Sequence, residues 1–409
     1  MTRAAALPNA DALAARVPGA DRTPPLILVQ VLRGVASMLV LTGHVQARLI
    51  HSAAAVGLPV WTIPRFAGGF GVDLFFCISG FIMVVSSGRY FAAAAGWRHF
   101  LARRAIRLVP LYWFFTLAYL PVLLGGTHGF HGNLPAALAT SFAFIPYPGG
   151  GIGETGVFPV YSLGWSLNFE MFFYVLFATF LTLPRPRAVG GVVVTLCLLV
   201  LAGLIFRPSD PILSVWTAPI LLEFGFGLGL GIAWLGPVRL PRLVCLLLAF
   251  MAVALLVADP QHLLIKPPGG TTPNDMHRVL GWGIPAATLL LSACFLEKNS
   301  ALGGVVIATL RRLGDASYSL YLVHPMVLLI FTRLWTVLCP AEWAPRLTSW
   351  AALGLLLAVG SIFAAVVTHR WIEKPMTRWL NDGLLRRTRA GAAPRLPLPF
   401  TPGLHLRQD

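Results

Sequence analysis

Along this chain, long apolar windows alternate with short polar connections, and the windows hold most of the residues. Stretches long enough to cross ~30 Å of hydrocarbon as helices fall at 26–50, 68–88, 108–124, 159–183, 189–206, 214–235, 241–258, 279–297, 316–338 and 347–371. Runs of this length are too long for buried strands and suit membrane-crossing helices. The predicted fold is all-α: a polytopic helical bundle of about ten transmembrane helices. Residues 1–25 form an N-terminal segment before it, and 26–375 the membrane domain. Residues 376–409, rich in Arg, Pro and Gly without an apolar period, read as a basic, disordered tail.

Composition agrees with the pattern. Of 409 residues, 57% are hydrophobic and 11% charged, against about 25% charged in soluble domains. The net charge of +16 comes from basic residues scattered over short connections and the tail. Membrane topology explains that distribution better than a nucleic-acid partner, so none is expected. With the amino terminus in the cytoplasm, Lys and Arg outside the spans divide 22 inside to 6 outside, which favours cytoplasmic termini. No basic segment leads directly into a short apolar core near the start, so no cleaved signal peptide is expected. The cysteines (Cys77, Cys197, Cys245, Cys294, Cys339) show no metal-ligand or CxxC spacing and read as packing residues. One outer connection, 125–158, contains His128, His131 and Glu154 but no Lys or Arg; it is either a cover over a substrate mouth or a plain linker.

Polar residues inside the spans are the candidate chemistry, because each is costly in hydrocarbon. Arg33 and His44 lie eleven residues apart in the first span. That spacing returns both to nearly the same helix face, ~16 Å apart along the axis. The alternative to a functional pair is an arginine reaching inner headgroups and a histidine bonded to a neighbouring helix. Asp73, at the outer start of the second span, is expected at His44's depth, either orienting the imidazole or serving as a favourable charge at a helix N-terminus. Arg103, Arg104 and Arg107 close the next cytoplasmic connection, where forked guanidinium donors suit phosphate and the positive-inside rule would also be satisfied. In the fourth span Ser162, Ser166, Glu170 and Tyr174 recur every four residues on one face, and Glu170 is expected to pair with Arg33. The sixth span has Glu223 and then glycines at 225, 227, 229 and 231, a close-packing face. In the ninth, Ser317, Tyr321 and His324 follow one stripe, with His324 expected in the inner half, away from His44, as a structural histidine or a substrate contact.

Taken in order, the R-x10-H pair of Arg33 and His44, GVDLFFCISGFIM, the RxxR of Arg104 and Arg107 before PLYW, WSLNFEMFFY and SYSLYLVHP resemble the acyltransferase-3 family of bacterial membrane O-acyltransferases. The likeness spans about 26–375, and GWSLNFEMFFYVLF is closest in flavour to the exopolysaccharide-modifying, ExoZ-like members. The resemblance implies transfer of an acyl group, usually acetyl, from acyl-CoA as co-substrate to a hydroxyl of a carbohydrate acceptor, in a bacterial inner membrane. It also implies functional roles for His44 and the arginines. Some members carry a C-terminal SGNH hydrolase-like domain; this chain ends in a short tail, so transfer is expected to rely on the membrane domain, alone or with polysaccharide-synthesis partners.

The combined expectation assigns catalysis to His44, with Asp73 or Glu170 holding its tautomer. Arg33, Arg104 and Arg107 are the candidates for binding acyl-CoA, and Ser166, Tyr174 and His324 for contacting substrate. No metal site and no permanently bound cofactor is expected. The rival reading from another class is a transporter or flippase for a glycan, against which the lack of an inverted repeat weighs modestly.

Overall fold

The computed structural model describes residues 26–55, 67–125, 132–148, 157–264, 272–299, 304–338 and 347–390. The expected N-terminal segment, His128, His131, Glu154 and Cys339 lie outside these residues. Helices occupy every predicted window: α1 Ile27–Ala55, α2 Phe70–Ser86, α3 Gly96–Gly125, then a ten-residue α4 Leu134–Ala143 in the outer connection, α5 Gly164–Phe180 and α6 Arg185–Phe206. A short α7 Pro211–Trp216 precedes α8 Leu222–Leu235; α9 Arg242–Ala258, α10 Ile284–Asn299, α11 Val305–Asp315, α12 Ser317–Leu338, α13 Leu347–Thr368 and α14 Lys374–Ala390 follow. Among the described residues seven helices are long and apolar enough to cross a membrane, while α2 and α9 are apolar but shorter.

The lipid-facing positions are evident from exposure. Leu198, Ile205, Phe250, Val257, Leu355 and Phe363 stand open on α6, α9 and α13, a cost in water that vanishes against hydrocarbon. Inside, two apolar clusters meet at α1 and α2: one runs through α3, α5, α6 and α12, the other through α10. The α2–α8 pair packs very closely. A methyl group on Gly227 would lie 2.0 Å from the carbonyl oxygen of Cys77, and one on Gly80 2.2 Å from that of Phe224. The glycine face predicted in the sixth span is thus used at 227 and 231, whereas Gly225 and Gly229 face open space.

Two expectations need correction. Arg103, Arg104 and Arg107 lie within α3, not in a connection, because the helix begins at Gly96 and runs through Pro110. The segment expected as a disordered tail from 376 is helical through Ala390, where α13 continues through a wide turn at His369–Glu373 into α14. Met376 and Leu380 pack inward while Arg378 and Trp379 face out, so an amphipathic stripe sustains a helix that overall composition does not suggest.

Candidate active site

The depth of the site is set where α1 begins. Its first free backbone amides are capped from far along the chain: Glu297, at the end of α10, accepts from the Leu28 amide at 2.9 Å and from the Ile27 amide. Helix α11 packs beside the next turns. A methyl group on Gly34 would lie 2.6 Å from the Leu310 carbonyl oxygen, and one on Gly314 1.9 Å from that of Gln30. Because α11 runs alongside the start of α1, α12 begins deeper, level with Arg33. The Arg33 guanidinium donates to Ser317 Oγ at 3.0 Å.

Two turns further along α12, His324 meets His44, their ring centres 4.9 Å apart and their planes at 67°. The expectation that His324 lies well away from His44 in depth is therefore wrong. Both spans were measured from their apparent starts, and those starts are not level.

Six predicted site residues line one internal cavity: Arg33, Arg104, Arg107, Ser166, Glu170 and Tyr174. Arg104 and Arg107, at i and i+3 on α3, share a face by helical geometry. Arg103, just before them in sequence, is exposed. Arg104 donates to Ser86 Oγ at 3.0 Å and lies over the rings of Phe100 and Tyr174, 5.5 and 5.7 Å from their centres.

Glu170 accepts from Ser79 Oγ at 3.2 Å and from the Tyr174 hydroxyl. It does not form the expected ion pair with Arg33, whose recorded partner is a neutral serine. Residues not singled out for this cavity complete it: Ser79, Tyr318 and Tyr321. Tyr321 shares a hydrogen bond with Ser166 Oγ at 2.7 Å and donates to the Leu163 carbonyl at 2.8 Å. Its ring centre is 6.3 Å from that of His324, so it links the cavity wall to the histidine pair.

His44 itself is exposed, although it sits mid-helix. Its Nδ1 is 2.9 Å from the Val40 carbonyl. A carbonyl only accepts, so Nδ1 carries the hydrogen and Nε2 the free lone pair. The helix's own backbone fixes the tautomer; neither Asp73 nor Glu170 is needed for it. Asp73 is fully buried and engaged elsewhere, accepting two hydrogen bonds from Arg278, from Nε at 2.9 Å and from a terminal nitrogen at 2.8 Å. Arg278 also reaches the Gly69 carbonyl at 3.3 Å and stacks near Trp165 and Trp282. Gly68, next in the chain, is pressed on Gly43, where a methyl group would come within 2.7 Å. Asp73 thus acts as one half of an ion pair that anchors the start of α2 beside His44. Arg278, in a segment read as an outer connection, carried no sequence signal beyond its charge.

Hydroxyls and aromatic faces hold Arg33 and Arg104, and three guanidinium groups against the one carboxylate of Glu170 leave the cavity suited to an anion. An apolar helical bundle holding such a cavity, with a histidine further along one of its helices, suits a membrane acyltransferase, and the chain belongs to the acyltransferase-3 family, whose acyltransferase domain matches residues 27–370. It is an enzyme of the acyl-group-transferring class.

Among its relatives, the exopolysaccharide production protein ExoZ of Rhizobium meliloti (strain 1021) is 32% identical over 338 residues, covering 80% of this chain and 94% of that protein. Acyltransferase MdmB of Streptomyces mycarofaciens is 26% identical, over 89% and 93% of the two chains. Nodulation protein 10 of Rhizobium leguminosarum bv. viciae is 25% identical, over 80% and 87%. No solved structure matches the chain significantly.

Proposed function

We propose that this protein is a multi-pass inner-membrane O-acyltransferase that moves an acyl group, acetyl in the simplest case, from acyl-CoA to a hydroxyl of an exopolysaccharide or related envelope carbohydrate. The observation that carries the reading is the cavity in which Arg33, Arg104 and Arg107 converge, with the exposed, tautomer-fixed His44 eleven residues beyond Arg33 on the same helix. The similarity to ExoZ over 94% of that protein supports a polysaccharide acceptor. With ten spans, the charge count favours both termini in the cytoplasm, which puts the arginines toward the donor's compartment.

In this reading Arg104 and Arg107 bind the phosphates of acyl-CoA, and the pantetheine arm passes Arg33 toward His44. Ser166 and Tyr174 contact substrate along the cavity wall. A sugar hydroxyl is a poor nucleophile at neutral pH, so His44 Nε2 takes its proton as the oxygen attacks the thioester carbonyl. Arg33 or a cavity hydroxyl stabilises the oxyanion. The carbon–sulfur bond then breaks, and the thiolate recovers the proton from His44 as free CoA. Direct transfer is preferred to an acyl-serine intermediate because no GxSxG elbow occurs in the sequence.

The test is mass spectrometry of surface glycans from cells with and without the gene. Loss of a defined acyl mass from the polysaccharide is expected. An unchanged acylation pattern would reject the acceptor assignment.

A further inference from the structure

His324 is an unusual neighbour for a catalytic base. The chain places it in a fully buried position on α12, two turns above the Arg33–Ser317 contact. Its Nδ1 is 2.9 Å from the Leu320 carbonyl, so Nδ1 carries the hydrogen and Nε2 is an acceptor. That Nε2 has no hydrogen-bond partner. Buried imidazole nitrogens are normally satisfied. A leucine or phenylalanine would fill the same space without leaving an acceptor empty.

The missing donor is beside it. The exposed ring of His44 abuts His324 with centres 4.9 Å apart. Two imidazoles joined by an N–H···N bond of ~2.9 Å have centres roughly 5 Å apart, so the pair stands at a separation compatible with such a bond. In the neutral tautomer His44 has no second N–H to give, because its one hydrogen is on Nδ1 and directed at Val40. When Nε2 takes a proton from the acceptor, His44 gains that donor.

We propose that His324 is a positioning residue: its Nε2 accepts a hydrogen bond from protonated His44 and holds the imidazolium in place between the two proton transfers. The acceptor's O–H bond breaks and an N–H bond forms at His44 Nε2. His324 accepts that N–H without taking the proton, and the leaving CoA thiolate then removes it. Unlike the aspartate of a serine-protease triad, which bonds the ring nitrogen opposite the one that takes the proton, His324 meets the proton-carrying nitrogen itself, and as a neutral ring it is tolerated by hydrocarbon better than a carboxylate. It also accounts for the position of His324: one helix behind the base, next to Tyr321 of the cavity wall. The inference rests on His44 being the base.

The test compares His324→Phe and His324→Gln in the purified full-length protein, using acetyl-CoA-dependent thiol release with polysaccharide acceptor, together with CoA binding by calorimetry. Phenylalanine keeps the ring volume and removes the acceptor; glutamine retains an accepting oxygen. The expected result is a fall in kcat of roughly tenfold or more for the phenylalanine variant, with the KM for acetyl-CoA and the affinity for CoA within about twofold of wild type and most of kcat restored by glutamine. Wild-type kcat in His324→Phe, equal losses in the two variants, or loss of CoA binding in His324→Phe would each overturn it, the last by showing a purely structural role. Activity in His44→Ala would instead reject the base assignment itself. An inactive His44→Ala alongside a fully active His324→Phe would reject only the role of His324.

Discussion

Arg33 and Arg278 are both buried guanidinium groups, 8% and 3% exposed, and their surroundings are opposite. Arg278 is gripped by a carboxylate through two hydrogen bonds and lies near two tryptophan rings. Arg33 rests on one serine hydroxyl and opens onto a cavity that it shares with two more arginines. In the first arrangement the charge is paired and its donors are already committed. The second retains its charge and points it at empty space. In a bundle where every ionised group is costly, a charge that is paired and closed off is a structural clip, whereas a charge held by neutral groups beside a cavity is poised for a ligand.

The largest expected effect falls on the cavity side. His44→Ala should lower acyl transfer by about 10²- to 10⁴-fold without altering CoA affinity, as read by transfer kinetics and calorimetry on the same preparation. Near-normal transfer would leave the cavity without its base.

Next comes the direct contrast between the two arginines. Arg278→Met strands the buried Asp73 carboxylate and should cost about 3–5 kcal/mol of stability. Arg33→Met strands no carboxylate and should leave the melting temperature close to wild type while weakening donor binding. Thermal unfolding of the two variants in one detergent decides the matter, and equal destabilisation would dissolve the distinction drawn here.

A smaller effect is expected from Arg104→Ala combined with Arg107→Ala. Loss of charge-assisted bonds worth about 1.5–3 kcal/mol each should raise the Kd for CoA by at least about tenfold and leave acceptor binding unchanged. The smallest belongs to Ser317→Ala. It removes one hydroxyl from Arg33 and should shift stability by about 1 kcal/mol, detectable as a modest change in melting temperature.

How much of this was legible in the sequence follows the same division. Hydrophobic runs located the membrane helices, because hydrocarbon thickness dictates their length, but not the amphipathic α11 and α14, which lie in segments read as a connection and a tail. Periodicity grouped Ser166, Glu170 and Tyr174 on one helix face, and all three line the cavity, as do Arg104 and Arg107 of the RxxR motif, which was read as part of a connection. What single-helix reasoning could not supply was the partner across helices. Arg33 was matched to Glu170 because their charges are opposite, yet the start of α12 brings Ser317 to it. Asp73 was matched to His44 by depth, yet Arg278, 205 positions along the chain, was the nearer cation. Depth failed for His324 because α11 packs alongside the first turns of α1 and displaces the start of α12, an offset that residue counting from each helix end does not register.

The central claim is that the arginine-lined cavity delivers an acyl-CoA thioester to His44. The most direct measurement follows acyl label from acetyl-CoA into polysaccharide by purified protein in lipid nanodiscs, alongside release of free thiol. The account predicts label transfer and thiol release in equal amounts for the wild type, and neither above background for His44→Ala. Equal label transfer by both proteins, or transfer by the wild type with no thiol released, would contradict it.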